Sequence, residues 1–344
     1  MHKIVVQKQP NIVVIGGGTG SFTLLSALKN LTPNITALVT MADDGGSTGV
    51  LRDELGVLPP GDVRQCLVAL SRAPEMRELF NYRFSEGTLS GHSFGNLFLT
   101  ALEKTTGSFA TAVETASQVL NVQGTVLPIT LDNVRLLLHR SDGTRMSGEH
   151  VIDVAHFGKK GMRPELSLSP KGAINPKAAK AIAGADIVMI APGDLYTSLG
   201  PLLIVDGVAE VLEHTKAKIV YVCNLVVKPG QTTGFSVADH AAEIERFAGD
   251  HPILDYVLYN TAQPDTASLA YYTEHHSNLV GFAPEDFQDV HYTAVGRVLL
   301  AKHTTKQQAG DALATHRSLI RHDAKAVARF VDQLLQKKIL TNAE

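Results

Sequence analysis

The residues best suited to chemistry stand in glycine-rich turns. Residues 16–20 read Gly-Gly-Gly-Thr-Gly, directly after the apolar run Ile12 to Ile15 and before leucines at 24, 25, 28 and 31. The apolar run predicts a buried strand, and the leucine spacing predicts one face of a helix. A strand, a glycine turn and a helix start in that order make an anion site. Backbone can approach a phosphate closely there, and unpaired N–H groups at the positive end of the helix dipole face it. Gly17, Gly18, Thr19 and Gly20 are therefore candidate contacts to a nucleotide or phosphorylated ligand. The third glycine of the dinucleotide fingerprint is replaced by Ser21, and no Lys-Ser or Lys-Thr follows, which excludes a P-loop.

A second apolar run, Ile35 to Met41, ends in Ala42-Asp43-Asp44-Gly45-Gly46-Ser47. A nicotinamide-binding domain places one acidic residue at this strand end to hold a ribose. Here two aspartates lead into another glycine loop, so one large polar site is expected. Asp43 and Asp44 could hold Mg²⁺, hydrogen-bond sugar hydroxyls or shape the turn. Ser47 is a further candidate contact. Downstream, Pro59-Pro60-Gly61-Asp62-Val63-Arg64 suggests a helix capped by Asp62, with Arg64 available to clamp a phosphate or pair with Asp43 or Asp44.

A third loop, Gly193-Asp194-Leu195-Tyr196-Thr197-Ser198, follows the apolar run Ile187 to Ala191, and Thr197 or Ser198 is expected to cap the next helix. Gly91-His92-Ser93-Phe94-Gly95 spells a nucleophile elbow, but that motif needs a strand before it, and Phe84 to Ser90 is a poor one. We read it as a glycine-bounded helix start at which His92, Ser93 and Asn96 offer hydrogen bonds to a ligand. Glu274-His275-His276 lacks the spacing of a metal motif.

These turns need a scaffold. Further strands are expected at Ile187 to Ala191, Ile219 to Cys223 and Tyr256 to Tyr259, each followed by a helical stretch: Leu199 to Glu213, Val237 to Phe247 and Pro264 to Thr273. The alternation predicts a Rossmann-like, doubly wound α/β domain with a mostly parallel sheet, whose ligand lies at the carboxyl ends of the strands. Residues 62–120 read as several helices, with Ala112, Val113, Ala116, Val119 and Leu120 as one apolar stripe. Residues 122–170 are β-rich, with Ser141-Asp142-Gly143-Thr144 as a hairpin turn, and predict a small antiparallel insertion. A terminal helix is expected over residues 324–337. All of it fits one domain spanning residues 1–344.

At 19% charged and 44% hydrophobic residues with a net charge of −3, the balance is globular. No basic block suggests a nucleic-acid partner. No apolar run approaches the ~20 residues of a membrane span. Cys66 and Cys223 are far apart in apolar stretches, as expected of small core residues in a reducing cytoplasm.

Five segments in this order, Ile15-Gly-Gly-Gly-Thr-Gly20, Ala42 to Ser47, Pro60 to Arg64, Gly91 to Asn96 and Ala191 to Ser198, resemble the gluconeogenesis factor family. That family is the bacterial branch related to 2-phospho-L-lactate transferase. The resemblance covers residues 11–330. It implies binding of UDP-sugars and a part in cell shape and wall synthesis during growth on gluconeogenic carbon sources, with protein partners in wall synthesis. A homo-oligomer is expected. The transferase branch instead implies Mg²⁺-dependent transfer of a phospholactyl group from a nucleotide-linked donor. Asp194-Leu195-Tyr196 departs from the transferase's Asn-Pro type continuation. Together with Cys223-Asn224, the following Pro229-Gly230-Gln231-Thr232 and Arg321-His322-Asp323, it fits the non-transferase branch. Asn224, Tyr272 and Arg321 join the site by this resemblance, Tyr272 for stacking and Arg321 for pairing with a diphosphate.

Overall fold

A computed structural model describes residues 9–157, 163–302 and 320–341, with side chains to residue 336. The strands in chain order are β1 (Ile12–Ile15), β2 (Ile35–Val39), β3 (Thr125–Pro128), β4 (Arg135–His139), β5 (Arg145–Ser147), β6 (Glu165–Ser169), β7 (Ile187–Ile190), β8 (Lys218–Val222), β9 (Tyr256–Asn260) and β10 (Thr293–Arg297). Seven of them form one sheet in the order β10-β9-β8-β7-β1-β2-β3, and every pairing in it is parallel. All four residues of β1 and of β7 are buried, so helices must cover both sheet faces at its centre.

The order matters more than the count. From β1 the chain moves outward through β2 to β3, then returns to the other side of β1 with β7 and moves outward again to β10. Between β1 and β7 the winding direction reverses, and their outgoing loops diverge. That divergence opens the crevice in which doubly wound sheets bind ligands. Gly16–Gly20 leaves β1 and Pro192–Asp194 leaves β7, so both expected loops stand at the switch point.

The helices before the insertion are α1 (Gly18–Leu28), α2 (Gly46–Leu55), α3 (Gly61–Leu70), α4 (Pro74–Asn81), α5 (Phe94–Thr106) and α6 (Phe109–Val119). Leu24, Leu25 and Leu28 of α1 are fully buried, and α1 packs on α3. In α6 the stripe holds at Ala112, Val113, Ala116 and Leu120, but Val119 points outward with 42% exposure. It is the last residue of the helix and lies at the edge of the stripe.

The insertion is smaller than the sequence suggested. Thr125–Pro128 is the parallel edge strand of the main sheet, and only β5-β4-β6 are antiparallel. The apolar pattern of β3 is compatible with either sheet, because periodicity reports burial and not the partner strand. The hairpin turn forms as expected, with Gly143 at φ +86°. The short α7 (Glu149–Asp153) follows β5.

The remaining helices are α8 (Pro176–Ala183), α9 (Gly200–Leu203), α10 (Val208–His214), α11 (Val237–Phe247), α12 (Thr266–Glu274) and α13 (Ala324–Thr341). The helix expected from Leu199 to Glu213 is broken after Leu203. A π-helical turn over Leu195–Leu199 precedes it, with the Leu199 N–H donating to the Asp194 carbonyl five residues back. Such turns are frequent at functional sites.

Candidate functional site

The first glycine turn already holds a side chain of its own protein, that of Asp62. Gly18 sits at φ +61°, a left-handed conformation that favours glycine, and its N–H donates to Asp62 Oδ1 at 2.8 Å. A Cβ at Gly17 would lie 1.7 Å from Asp62 Oδ2, whereas one at Gly18 would meet nothing closer than 3.9 Å. Asp62 is thus no cap of its own helix, contrary to expectation. Pro60 stands at the cap position of α3, and the Asp62 carboxylate reaches across to α1. Burial, followed by the charge of Asp43, pushes its pKa up to about 7. Gly20 is needed for another reason: a Cβ there would lie 1.9 Å from the Pro192 carbonyl, so the loops of β1 and β7 touch.

The second loop joins the fourth motif. Ser47 Oγ lies 2.9 Å from His92 Nδ1 and accepts from Asn96 Nδ2 at 3.3 Å. Asn96 Oδ1 accepts from Arg64 Nε at 3.0 Å, and Arg64 also donates to Asn81 at 2.7 Å. Arg64 is buried at 8% exposure, on the inner side of this network. Ser93 is buried as the cap of α5, accepting from the Asn96 N–H. No strand precedes it, so the nucleophile-elbow geometry is missing and Ser93 serves the helix start.

Asp43, Asp44 and Glu149 bring the insertion into the site. The Gly45 N–H donates to Asp43 at 3.0 Å, and the His150 N–H donates to Asp44 at 2.8 Å. Arg135 Nη1 lies 3.8 Å from Asp44. Glu149 is flanked by carboxylates: burial first, then Asp43, Asp153, Asp44 and Asp62, push its pKa up to about 9. Burial likewise raises Asp43, against hydrogen bonds from Gly45 and Thr48. Among the described residues no group of three or more His, Cys, Asp or Glu side chains is arranged to hold a metal ion. If Mg²⁺ enters, Asp43 and Asp44 would need oxygens from a bound diphosphate to complete its shell.

At the third loop, Asn224 fixes Gly193 by two hydrogen bonds, 3.0 and 2.8 Å long. Asp194 Oδ2 lies 2.7 Å from Lys228 Nζ, which also pairs with Asp153 of α7. Burial pulls the Lys228 pKa down, but Asp194 and Asp153 more than compensate and hold it above its usual value. Thr197 does not cap a helix; its hydroxyl donates to Asp153 at 3.1 Å. Ser198 lies inside the π-helical turn and is half-buried. Leu195 and Tyr196 are core residues at 1% and 0% exposure, with the Tyr196 ring packed edge-on against Phe157 and Phe247. In the π-helical turn Leu195, Tyr196 and Thr197 are all buried, so Leu195 and Tyr196 serve packing and not a ligand surface.

Tyr272 is buried with Leu225 and Ile320, and its hydroxyl accepts from the Ile320 N–H at 3.2 Å. Its ring is covered, so it packs the chain against the β8 loop and offers no face for stacking. Arg321 is half-buried next to His322, whose Nε2 lies 3.0 Å from the Cys223 carbonyl. The Arg321 carbonyl accepts from the Ala301 N–H, and it is His322 that reaches the end of β8.

The family model described as 2-phospho-L-lactate transferase CofD matches residues 12–300. A gluconeogenesis factor of Bacillus subtilis is 38% identical over 334 residues, covering 96% of this chain and 99% of that one. One from Listeria monocytogenes is 37% identical, covering 94% of each. The chain belongs to the CofD family, among its gluconeogenesis factors. A crystal structure of a member of the UPF0052 family from Bacillus halodurans, 35% identical, superposes with a TM-score of 0.85 over 94% of this chain and 99% of that one. A relative in Nostoc sp. is 48% identical over 79% of this chain, which spans 59% of that longer protein.

Within this family frame, Lys228, Asp153 and Glu149 are the site-lining residues that sequence reasoning missed. Lys228 stands directly before Pro229-Gly230, six residues past the end of β8, and carried a usable signal, a cation closing the apolar stretch Leu225 to Val227. Glu149 and Asp153 carried none, because only the folded insertion brings α7 over the loops. No helix among the described residues is long and apolar enough to cross a membrane.

Proposed function

We propose that this protein binds a nucleotide sugar, a UDP-sugar, at the carboxyl ends of β1, β2 and β7. On this reading it serves as a regulatory binding protein for cell shape during growth on gluconeogenic carbon sources. The observation that carries the reading is the switch point between β1 and β7, flanked by glycine turns from both strands. Ser47, His92, Asn96 and Arg64 supply a linked set of polar groups beside it. Two features favour binding over catalysis: Ser93 is spent on a helix cap, and Lys228 is spent on two carboxylates.

The names of the Bacillus and Listeria relatives support the gluconeogenic setting. A Mg²⁺-dependent transferase with a nucleotide-linked donor is the second reading, favoured by the paired Asp43 and Asp44 and by the description of the family. Thermal unfolding with UDP-N-acetylglucosamine, GDP and NAD side by side tests the first. A ligand at ~100 times its Kd should add roughly 2.7 kcal/mol of stability. A shift with GDP or NAD but with no UDP compound rejects it. Nucleotide release from a guanosine diphosphate-linked donor with a deazaflavin acceptor, abolished by EDTA, would establish the second.

A further inference from the structure

We infer that Asp62 determines what the first glycine turn accepts: a hydroxyl group of the ligand's sugar, with the diphosphate held elsewhere along the strand ends. The inference rests on the nucleotide-sugar reading and deepens it. The Gly18 N–H, the donor that a phosphate would need, is taken by Asp62 Oδ1 at 2.8 Å. The second oxygen, Oδ2, fills the space beside Gly17, where a Cβ would approach within 1.7 Å. The turn therefore presents a carboxylate oxygen where it would otherwise present donors. Asp43 is close by, since its Oδ2 lies 2.9 Å from the Cβ position of Gly61, next to Asp62. Arg64, the nearby cation, donates to Asn96 and Asn81, and its charge lowers the Asp62 pKa less than burial and Asp43 raise it.

Once Asp62 has lost its proton, above about pH 7, a phosphate placed against this oxygen would meet like charge at short range, with little water to screen it. A sugar hydroxyl placed there donates a charge-assisted hydrogen bond. Gly18 leaves the room for it, because nothing but Asp62 lies within 4 Å of its Cβ direction.

Asp62→Asn separates the two arrangements by the sign of its effect. The amide oxygen can keep the Gly18 N–H, while the group facing the ligand turns from acceptor to donor. Calorimetric titration of wild type and variant with UDP-N-acetylglucosamine and with UDP gives the answer. We expect about ten- to hundredfold weaker binding of the sugar nucleotide and unchanged binding of UDP. Tighter binding of both compounds by the variant would mean that phosphate sits beside Asp62, and would overturn the inference. Equal weakening of both would overturn it as well. Absence of binding by wild type to either compound would instead reject the nucleotide-sugar reading, and this inference with it. Near-ultraviolet circular dichroism checks the fold, and Asp62→Ser repeats the comparison should the amide variant misfold.

Discussion

Asn224 and Gly193 hold each other by a reciprocal pair of hydrogen bonds. The Gly193 N–H donates to Asn224 Oδ1 at 3.0 Å, and Asn224 Nδ2 donates to the Gly193 carbonyl at 2.8 Å. One side chain past the end of β8 thus satisfies both backbone polar groups of Gly193 in the β7 loop. It imitates a sheet ladder two to three residues beyond the ends of the strands. Asn224→Ala should remove both bonds and cost about 1–3 kcal/mol in urea unfolding, at ~1 kcal/mol per bond plus any unmet desolvation. Asn224→Asp keeps the acceptor and loses the donor, so it should fall between.

Lys228 ties three elements together. It joins Asp194 of the β7 loop to Asp153 of α7, from a loop that follows β8. Gln231, three residues on, donates to the carbonyls of Ile152 and Asp153 at 2.9 Å each. Replacing Lys228 by Met leaves two carboxylates facing each other. Breaking a buried pair in this way costs roughly 3–5 kcal/mol, and partial exposure of Lys228 puts the expected loss at the lower end. The same change should release α7 first, read as faster amide exchange over residues 149–157 than in the central strands.

Gly18→Val should strain the turn and block the site together. At φ +61° a β-branched residue costs about 1–2 kcal/mol. The protein has margin to stay folded, because the added side chain points into open space and not into backbone. That open space is where ligand is expected, so binding should vanish while circular dichroism remains native. Wild-type affinity in the folded variant would move the ligand away from this turn.

Much of the scaffold was legible because parallel strands buried on both faces must be continuous apolar runs. Ile12 to Ile15, Ile187 to Ile190 and Ile219 to Val222 announce themselves in this way, and Val237–Phe247 carries its capping serine at 236. The site was legible where a glycine had a geometric duty, as at Gly18 and Gly20. It was illegible where a side chain acts across the fold. Asp62 reads locally as a helix cap, and only the distance to Gly18, 44 positions earlier in the chain, shows otherwise. Tyr196 reads as a loop aromatic, and only packing against Phe157 and Phe247 turns it inward.

The acidic cluster sets a pH dependence. Glu149 has an ordinary pKa of 4.5 and is pushed up to about 9 in the folded protein. Between those values the folded state binds more protons than the unfolded chain, so stability falls as pH rises. The contribution of Glu149 is whole below 4.5 and gone above about 9. Asp62 acts in the same direction up to about 7. His322 acts in the opposite direction. Burial depresses it to about 4, so its contribution is present above 6.5 and lost as pH falls toward 4. Glu149→Gln should therefore gain stability over wild type progressively from about pH 4.5 to about 9, by up to ~1.4 kcal/mol per pH unit, and level off above that. Urea unfolding of both proteins from acid to alkaline pH measures it, and a constant difference would contradict the assignment.

The central claim is that a UDP-sugar occupies the crevice between β1 and β7. Calorimetric titration of UDP-N-acetylglucosamine into wild type, Gly18→Val and Arg321→Ala tests it most directly. The account predicts saturable binding to wild type, none to Gly18→Val, and about ten- to hundredfold weaker binding to Arg321→Ala through loss of a charge-assisted bond. Unchanged affinity in both folded variants, or no binding heat with wild type, would contradict it.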